Sequence, residues 1–372
     1  MTFYHLKYHL LMREYYSDRG TVFTFCDIRE FFNSNEIQVE KNINMCYSFS
    51  VKEVISMISI LPAKAAYLLL VAVSVILCAA LLALFKGRLP RDHGREFAFN
   101  GALSAGKIRG AGIIFVCSFI ITALIFVPVS LEYVFYYILI FLGMLSGYLD
   151  DRSEKPWGEY KKGLIDLVIS ALTAANFVYF NPELTSVRFF GMSLHINPIV
   201  FGVIATVLVW MLINAVNCSD GIDGFCTSLT IVSLISVAAA GHLLGMEKNM
   251  YLLTAIMILT LLPYLWKNAE PSTMLMGDAG SRALGLFLCI CILKSGNILL
   301  VIPLCFMICL DGLLGIAKVS LIRFLHINAF KKIRTPLHDH FRKNKGWSNT
   351  QVIFRYCMIQ AVISAVTVIA MK

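Results

Sequence analysis

Charge is what this chain has least of. Only 15% of its 372 residues are Asp, Glu, Lys or Arg, against 58% hydrophobic, where a soluble globular domain carries roughly 25% charged. With a mean hydropathy of +0.74, the composition excludes an ordinary water-soluble domain and points into a bilayer. Cysteines at ligand spacing are also missing. The 11 Cys form no CxxC pair and no Cys/His pattern, so neither zinc nor a disulfide framework is expected. Cys117, Cys289, Cys291, Cys305 and Cys309 fall inside apolar runs and read as small packing residues. The front of the chain lacks the apolar core of a signal peptide. Residues 1–56 are polar and irregular; they read as an extension that a start near Met45 or Met57 would remove, ahead of one membrane domain over 57–372.

Long apolar runs are what the chain has in abundance. About 20 such residues cross ~30 Å of hydrocarbon. Ten runs qualify, at about 66–85, 112–129, 133–149, 164–180, 197–217, 226–244, 250–266, 282–294, 297–324 and 352–371. In lipid the backbone must satisfy itself, so an all-α membrane protein of about ten helices is expected. The eighth run is short; the ninth is long and expected to be broken. The formal net charge of +9 then belongs to topology, not to nucleic acid. Loops after odd-numbered spans hold most of the cations, among them Lys86, Arg88, Lys107, Arg109, Arg152, Lys155, Lys161, Lys162, Lys331, Lys332, Arg334, Arg342 and Lys343. By the positive-inside rule that side faces the cytoplasm.

Four polar clusters interrupt the apolar pattern, and all four follow odd spans. They are GYLDDRSEKPWGEYKKG (147–163), NAVNCSDGIDG (214–224), NAEPSTMLMGDAGS (268–281) and RTPLHDHFRKNKG (334–346). Asp150 and Asp151 sit where a helix ends, a position that disfavours acids, and two adjacent carboxylates repel unless a cation intervenes. Asp-Gly in DGIDG also reads as a turn, and an EF-hand fails for want of its 12-residue spacing. Asn214 and Asn217, three apart on one helix face, are amides that need partners. MGDAGS offers small residues and open N–H groups at a helix start, which suits phosphate as well as it suits a plain cap, and Asp278 adds a hard oxygen for Mg²⁺. In an extended segment His338 and His340 would point the same way, toward anionic oxygens. Asp311, an acid inside the ninth run, reads as pairing with another helix. Together, carboxylates for Mg²⁺ among cations equip one membrane face for phosphotransfer between a nucleotide and a lipid phosphate.

GYLDD, NAVNCSDGIDG and LMGDAGS, in this order at these helix ends, resemble the polyprenyl-phosphate N-acetylhexosamine-1-phosphate transferases over about residues 60–372. TPLHDHFRK, with Pro336, Leu337 and Phe341, is most similar to the muramoyl-pentapeptide branch of bacteria. The resemblance implies transfer from UDP-MurNAc-pentapeptide to undecaprenyl phosphate at the cytoplasmic face of the inner membrane, giving lipid I and UMP, with Mg²⁺ as cofactor. By position Asp150 and Asp151 match the aspartate pair, Asp150 being the residue to deprotonate or orient the lipid phosphate. Asp278 matches the metal ligand. Asn217, Asp220 and Asp223 match the core that holds diphosphate and metal. Gly224, Phe225, Asn268 and Leu275 match the nucleoside pocket, and Lys107, Lys155 and Lys162, with Asn214, join the nucleotide contacts.

The chain also departs from that pattern. Leu275 stands where Phe is common, Asp339 replaces the middle His, and Arg342 sits where an acid is common. SAGKIRGAG replaces the usual TPTMGG, and Lys155 lies one place later than usual. The rivals are the sister branch that moves N-acetylglucosamine phosphate from UDP-GlcNAc, and an ion-coupled transporter, whose charges would instead lie near the midplane. The large apolar surface is compatible with a homodimer.

Overall fold

A computed structural model of the chain describes residues 62–372 except 93, 95–103, 154, 156, 190–191 and 328–331. The extension expected over 1–56 lies outside the described residues. The helices are α1 (Ala63–Phe85), α2 (Gly112–Phe126), α3 (Leu131–Asp151), α4 (Glu159–Phe180), α5 (Pro198–Ser219), α6 (Phe225–Leu244), α7 (Lys248–Asn268), α8 (Gly277–Lys294), α9 (Val301–Leu304), α10 (Phe306–Leu325), α11 (Leu337–Lys345) and α12 (Asn349–Ala370). A two-stranded antiparallel hairpin, β1 (Ser186–Phe189) with β2 (Met192–His195), joins α4 to α5. No alternation in the sequence foretold it.

Seven of these helices are long and apolar enough to cross a membrane, and a bent pair, taken as one span, is long and apolar enough for an eighth. The protein is a multi-pass membrane protein. The other two expected spans are α2, with 15 residues, and α8, with 18. The short eighth run of the sequence is the centre of the fold. Every residue of α8 except Asp278 is buried, because α2, α3, α5 and α6 pack around it. A helix that is apolar all round belongs in a core. α1 and α12, whose apolar windows are only 22% buried, form the lipid-facing rim.

The ninth span is broken as expected, with a 92° bend between residues 298–304 and 306–323. Breaking a helix in lipid frees backbone groups that need new partners. Gln360 of α12, itself fully buried, supplies both: its Nε2 donates to the Pro303 carbonyl at 2.9 Å, and its Oε1 accepts from the Met307 N–H at 2.9 Å.

Candidate active site

The site is built around the start of α8. The first N–H groups of a helix have no partner within it. Here the Asp151 carboxylate, at the end of α3, accepts from the N–H of Asp278 and of Ala279, each at 3.2 Å. Its charge sits at the positive end of the α8 dipole. Small residues permit the approach. A Cβ on Gly147 would lie 2.3 Å from the Asp278 carbonyl, and one on Gly112 would lie 2.1 Å from the Gly280 nitrogen. This corrects the reading of MGDAGS as open N–H groups awaiting phosphate. Gly277 makes room for the Asp151 carboxylate, 2.1 Å from where its Cβ would lie, and two of the motif's N–H groups are already taken.

Three carboxylates converge there and share their cations. Asp150 accepts from the Trp157 N–H at 2.7 Å and pairs through its other oxygen with Lys162. Lys162 Nζ also reaches Asp278 at 3.2 Å. Arg109 spans Asp151 at 2.8 Å, Asp92 at 3.0 Å and Asp278 at 3.7 Å. Burial opposes the Arg109 charge, but these carboxylates outweigh it and raise the guanidinium pKa above its ordinary value. From within α8, Arg282 approaches Asp278 at 3.5 Å and pairs with Asp166 of α4 at 3.1 Å.

A second group lies on the adjoining loops. Residues 108–112 pair with 275–276: the Leu275 N–H donates to Ile108 O at 2.7 Å, and the Ala111 N–H to Leu275 O at 3.0 Å. That pairing holds Lys107, whose Nζ lies 2.8 Å from Asp223 and 2.9 Å from Ser272 Oγ. Asp220 follows α5 as its cap, its N–H donating to Asn217 O at 3.2 Å. Asn214 donates to Trp210 O within its own helix at 2.8 Å. The half-buried Asn217 side chain makes no hydrogen bond among the described residues.

Several residues expected at the nucleotide make contacts within the protein. Phe225 is fully buried, edge-on to His338 and Tyr356, so its ring is core. Asn268 spends its amide internally, accepting from the Gly224 N–H at 3.0 Å and donating to Met274 O at 2.9 Å; it ties the start of α6 to the loop before α8. Leu275 contributes through its backbone. Lys155 is exposed and makes no ion pair among the described residues.

The HDH segment is helical, not extended, because it forms the first turns of α11. Residues two apart on a helix diverge, so the two His part company. His338 is buried against Asp311, which accepts from its backbone N–H and its Nδ1, each at 2.7 Å. That contact answers for the acid inside the ninth run. A Cβ on Gly221 would lie 2.3 Å from His338 Nε2, so the ring seats against the DGIDG turn. His340 Nδ1 accepts from the Arg334 N–H at 3.2 Å. Asp339 and Arg342, the two unusual residues, form a pair at 3.1 Å. The sequence reading passed over Arg109, Asp92, Asp166 and Arg282 as site residues. For Asp166 and Arg282 the signal was present, since each is a charge inside or at the edge of an apolar run.

Among the described residues no three Asp, Glu, His or Cys side chains stand close enough to hold a metal by themselves. Mg²⁺, however, keeps several waters and binds through one or two carboxylates plus phosphate oxygens. The donor set, one partly exposed Asp278 carboxylate among cations, fits an ion that arrives with its phosphates.

A bundle of apolar helices with carboxylates and shared cations gathered at one end defines a class, the membrane enzymes that work on phosphorylated substrates. Residues 133–296 match the model for glycosyl transferase family 4. The chain is 37% identical over 294 residues to the phospho-N-acetylmuramoyl-pentapeptide-transferase of Treponema pallidum, covering 74% of this chain and 81% of the relative. Relatives of the same name from Nitratiruptor and Campylobacter jejuni are 27% and 28% identical, each covering 70% of this chain and 80% of the relative. The chain belongs to the phospho-N-acetylmuramoyl-pentapeptide-transferase family.

Proposed function

We propose that this protein transfers phospho-MurNAc-pentapeptide from UDP-MurNAc-pentapeptide to undecaprenyl phosphate, giving lipid I and UMP. It would do so with Mg²⁺, at the cytoplasmic face of a bacterial inner membrane. The observation that supports this reading best is the gathering of Asp150, Asp151 and Asp278 with Lys162 and Arg109 at one end of the bundle. The basic loops support the same orientation.

The chemistry follows from the shared cations. Lys162 and Arg109 are 25% and 23% exposed and each already bridges two or more carboxylates. An incoming diphosphate competes for them with a higher charge density. As Lys162 turns to phosphate, Asp150 regains an oxygen with which to orient or deprotonate the lipid phosphate. That phosphate attacks the phosphorus bearing the sugar, and UMP leaves. Asp278, with the Asn217 amide, would hold Mg²⁺, which neutralises charge on the diphosphate and the departing UMP. Asp151 keeps its place on the α8 N-terminus throughout. Lys107, held by Asp223, is the cation for the nucleotide side.

The test is UMP release with undecaprenyl phosphate and Mg²⁺, run in parallel on UDP-MurNAc-pentapeptide and UDP-GlcNAc, with Asp278→Ala as control. Turnover of the muramoyl substrate alone, lost in the variant, is the expected result. Turnover of UDP-GlcNAc alone would move the protein to the sister branch. No metal-dependent UMP from either substrate would overturn the transferase reading.

A further inference from the structure

Four side chains form a line of alternating charge across two helices. α4 contributes Lys162 and, one turn on, Asp166; α8 contributes Asp278 and, one turn on, Arg282. Lys162 faces Asp278 at 3.2 Å, Arg282 faces Asp166 at 3.1 Å, and Arg282 links the two pairs by reaching Asp278 at 3.5 Å. The two rungs differ in depth. Lys162 and Asp278 are 25% and 14% exposed, whereas Arg282 and Asp166 are 2% and 3%. Arg282 also carries a buried Nε that meets no partner among the described residues, an unmet donor that an apolar residue here would not have. Burying such a pair is no route to stability, since apolar replacements of similar volume often hold a fold equally well. Its distinctive property is the charge it presents to Asp278.

We infer that Arg282, anchored by Asp166, is a positioning residue for Asp278. It is the resident counter-charge that stays on that carboxylate while Lys162 and Arg109 leave for substrate phosphates. This rests on the transferase reading above. Of the three cations on Asp278, Arg282 alone is buried and tethered deep in the bundle, so it cannot follow the substrate. Without it Asp278 would hold Lys162 and Arg109 more tightly, and their release would be the step that suffers.

The test compares the full chain with two double variants. Asp166→Leu/Arg282→Leu removes the pair but leaves its space filled. Asp166→Arg/Arg282→Asp keeps the pair's attraction and sets a carboxylate beside Asp278. UMP release, thermal unfolding and Mn²⁺ binding by electron paramagnetic resonance are measured for each. The neutral pair is expected to unfold at an undiminished temperature and to bind Mn²⁺ more tightly. Its kcat falls about tenfold, with KM for the nucleotide sugar nearly unchanged. The exchanged pair is expected to lose on the order of 100-fold in kcat while still unfolding cooperatively. Full activity in a folded exchanged pair would overturn the inference and leave the transferase reading intact. So would a neutral pair with unaltered kcat, and that outcome decides the matter if the exchanged pair does not fold. A neutral pair that loses stability and kcat together, with Mn²⁺ binding unmoved, would reduce Arg282 to a structural clamp and overturn it too. Absence of UMP release from the unaltered chain would remove the transferase reading and this inference with it.

Discussion

Helices α3 and α8 meet at both ends, and the two meetings are built differently. At one end Glu132, in the first turn of α3, pairs with Lys294, in the last turn of α8, at 2.9 Å. Lys294 also donates to Asn181 at 2.8 Å and lies 3.5 Å from Glu247, while Asn181 donates to Glu132 at 2.7 Å. Each charge there complements the dipole of its own helix, and Lys294, only 2% exposed, has a partner for each of its three protons. At the other end Asp150 and Asp151 sit against the dipole of α3, and three carboxylates divide cations that each serve more than one of them. The first cluster is closed and has nothing left to offer. The second is held in balance and can be redistributed by a new anion, which is what a phosphate-handling site requires.

Removing one acid or base from each cluster should therefore give opposite phenotypes. Asp278→Ala is expected to lower UMP release on the order of 1000-fold, with the unfolding temperature little changed because Lys162 and Arg109 are partly exposed and find water, while buried Arg282 keeps Asp166. Lys294→Met leaves a largely buried Glu132 without its cation and should cost about 3–5 kcal/mol of stability. Protein that remains folded would keep most of its kcat, as read by assay below the transition. A variant at Lys294 that folds normally but is inactive would break the distinction between the two ends.

A smaller effect sharpens the active end. Gly147→Ala would drive a methyl into the Asp278 carbonyl, and overpacking of this kind typically costs about 1–3 kcal/mol. The strain falls on the contact that lets Asp151 cap α8, so activity should fall with stability. Ala at Gly158, where a Cβ would meet nothing within 4 Å, should leave both unchanged. Thermal unfolding and UMP release on the two variants check this.

Much of the fold was legible because hydrophobic runs report spans directly. The break in the ninth span was readable from its length, and the polar clusters from their shared parity. Partnerships between distant residues were not legible. Nothing local says that Asn268 bonds Gly224, that Phe225 lies beneath His338, or that Asp151 caps a helix more than a hundred residues away. The alternation argument for His338 and His340 failed for a local reason: Pro336 starts a helix there, and helical rather than extended geometry then aims each ring. Gln360, polar in the middle of an apolar run, carried the same kind of signal as Asp311 and could have been read as the partner of a broken helix.

The smallest effect separates two lysines that sequence alone could not rank. Lys155 and Lys162 lie in one polar cluster, both near the aspartate pair. Lys162 stands on the first turn of α4, aimed at Asp150 and Asp278; Lys155 lies in the preceding loop, exposed. An exposed charge without a fixed partner contributes little. Lys155→Ala should therefore leave UMP release within about twofold and stability within about 0.5 kcal/mol, whereas Lys162→Ala should cost at least tens of fold in kcat. Equal losses from both would mean that Lys155, too, reaches the phosphates. The redistributable end of the bundle would then extend beyond the three carboxylates and their shared cations.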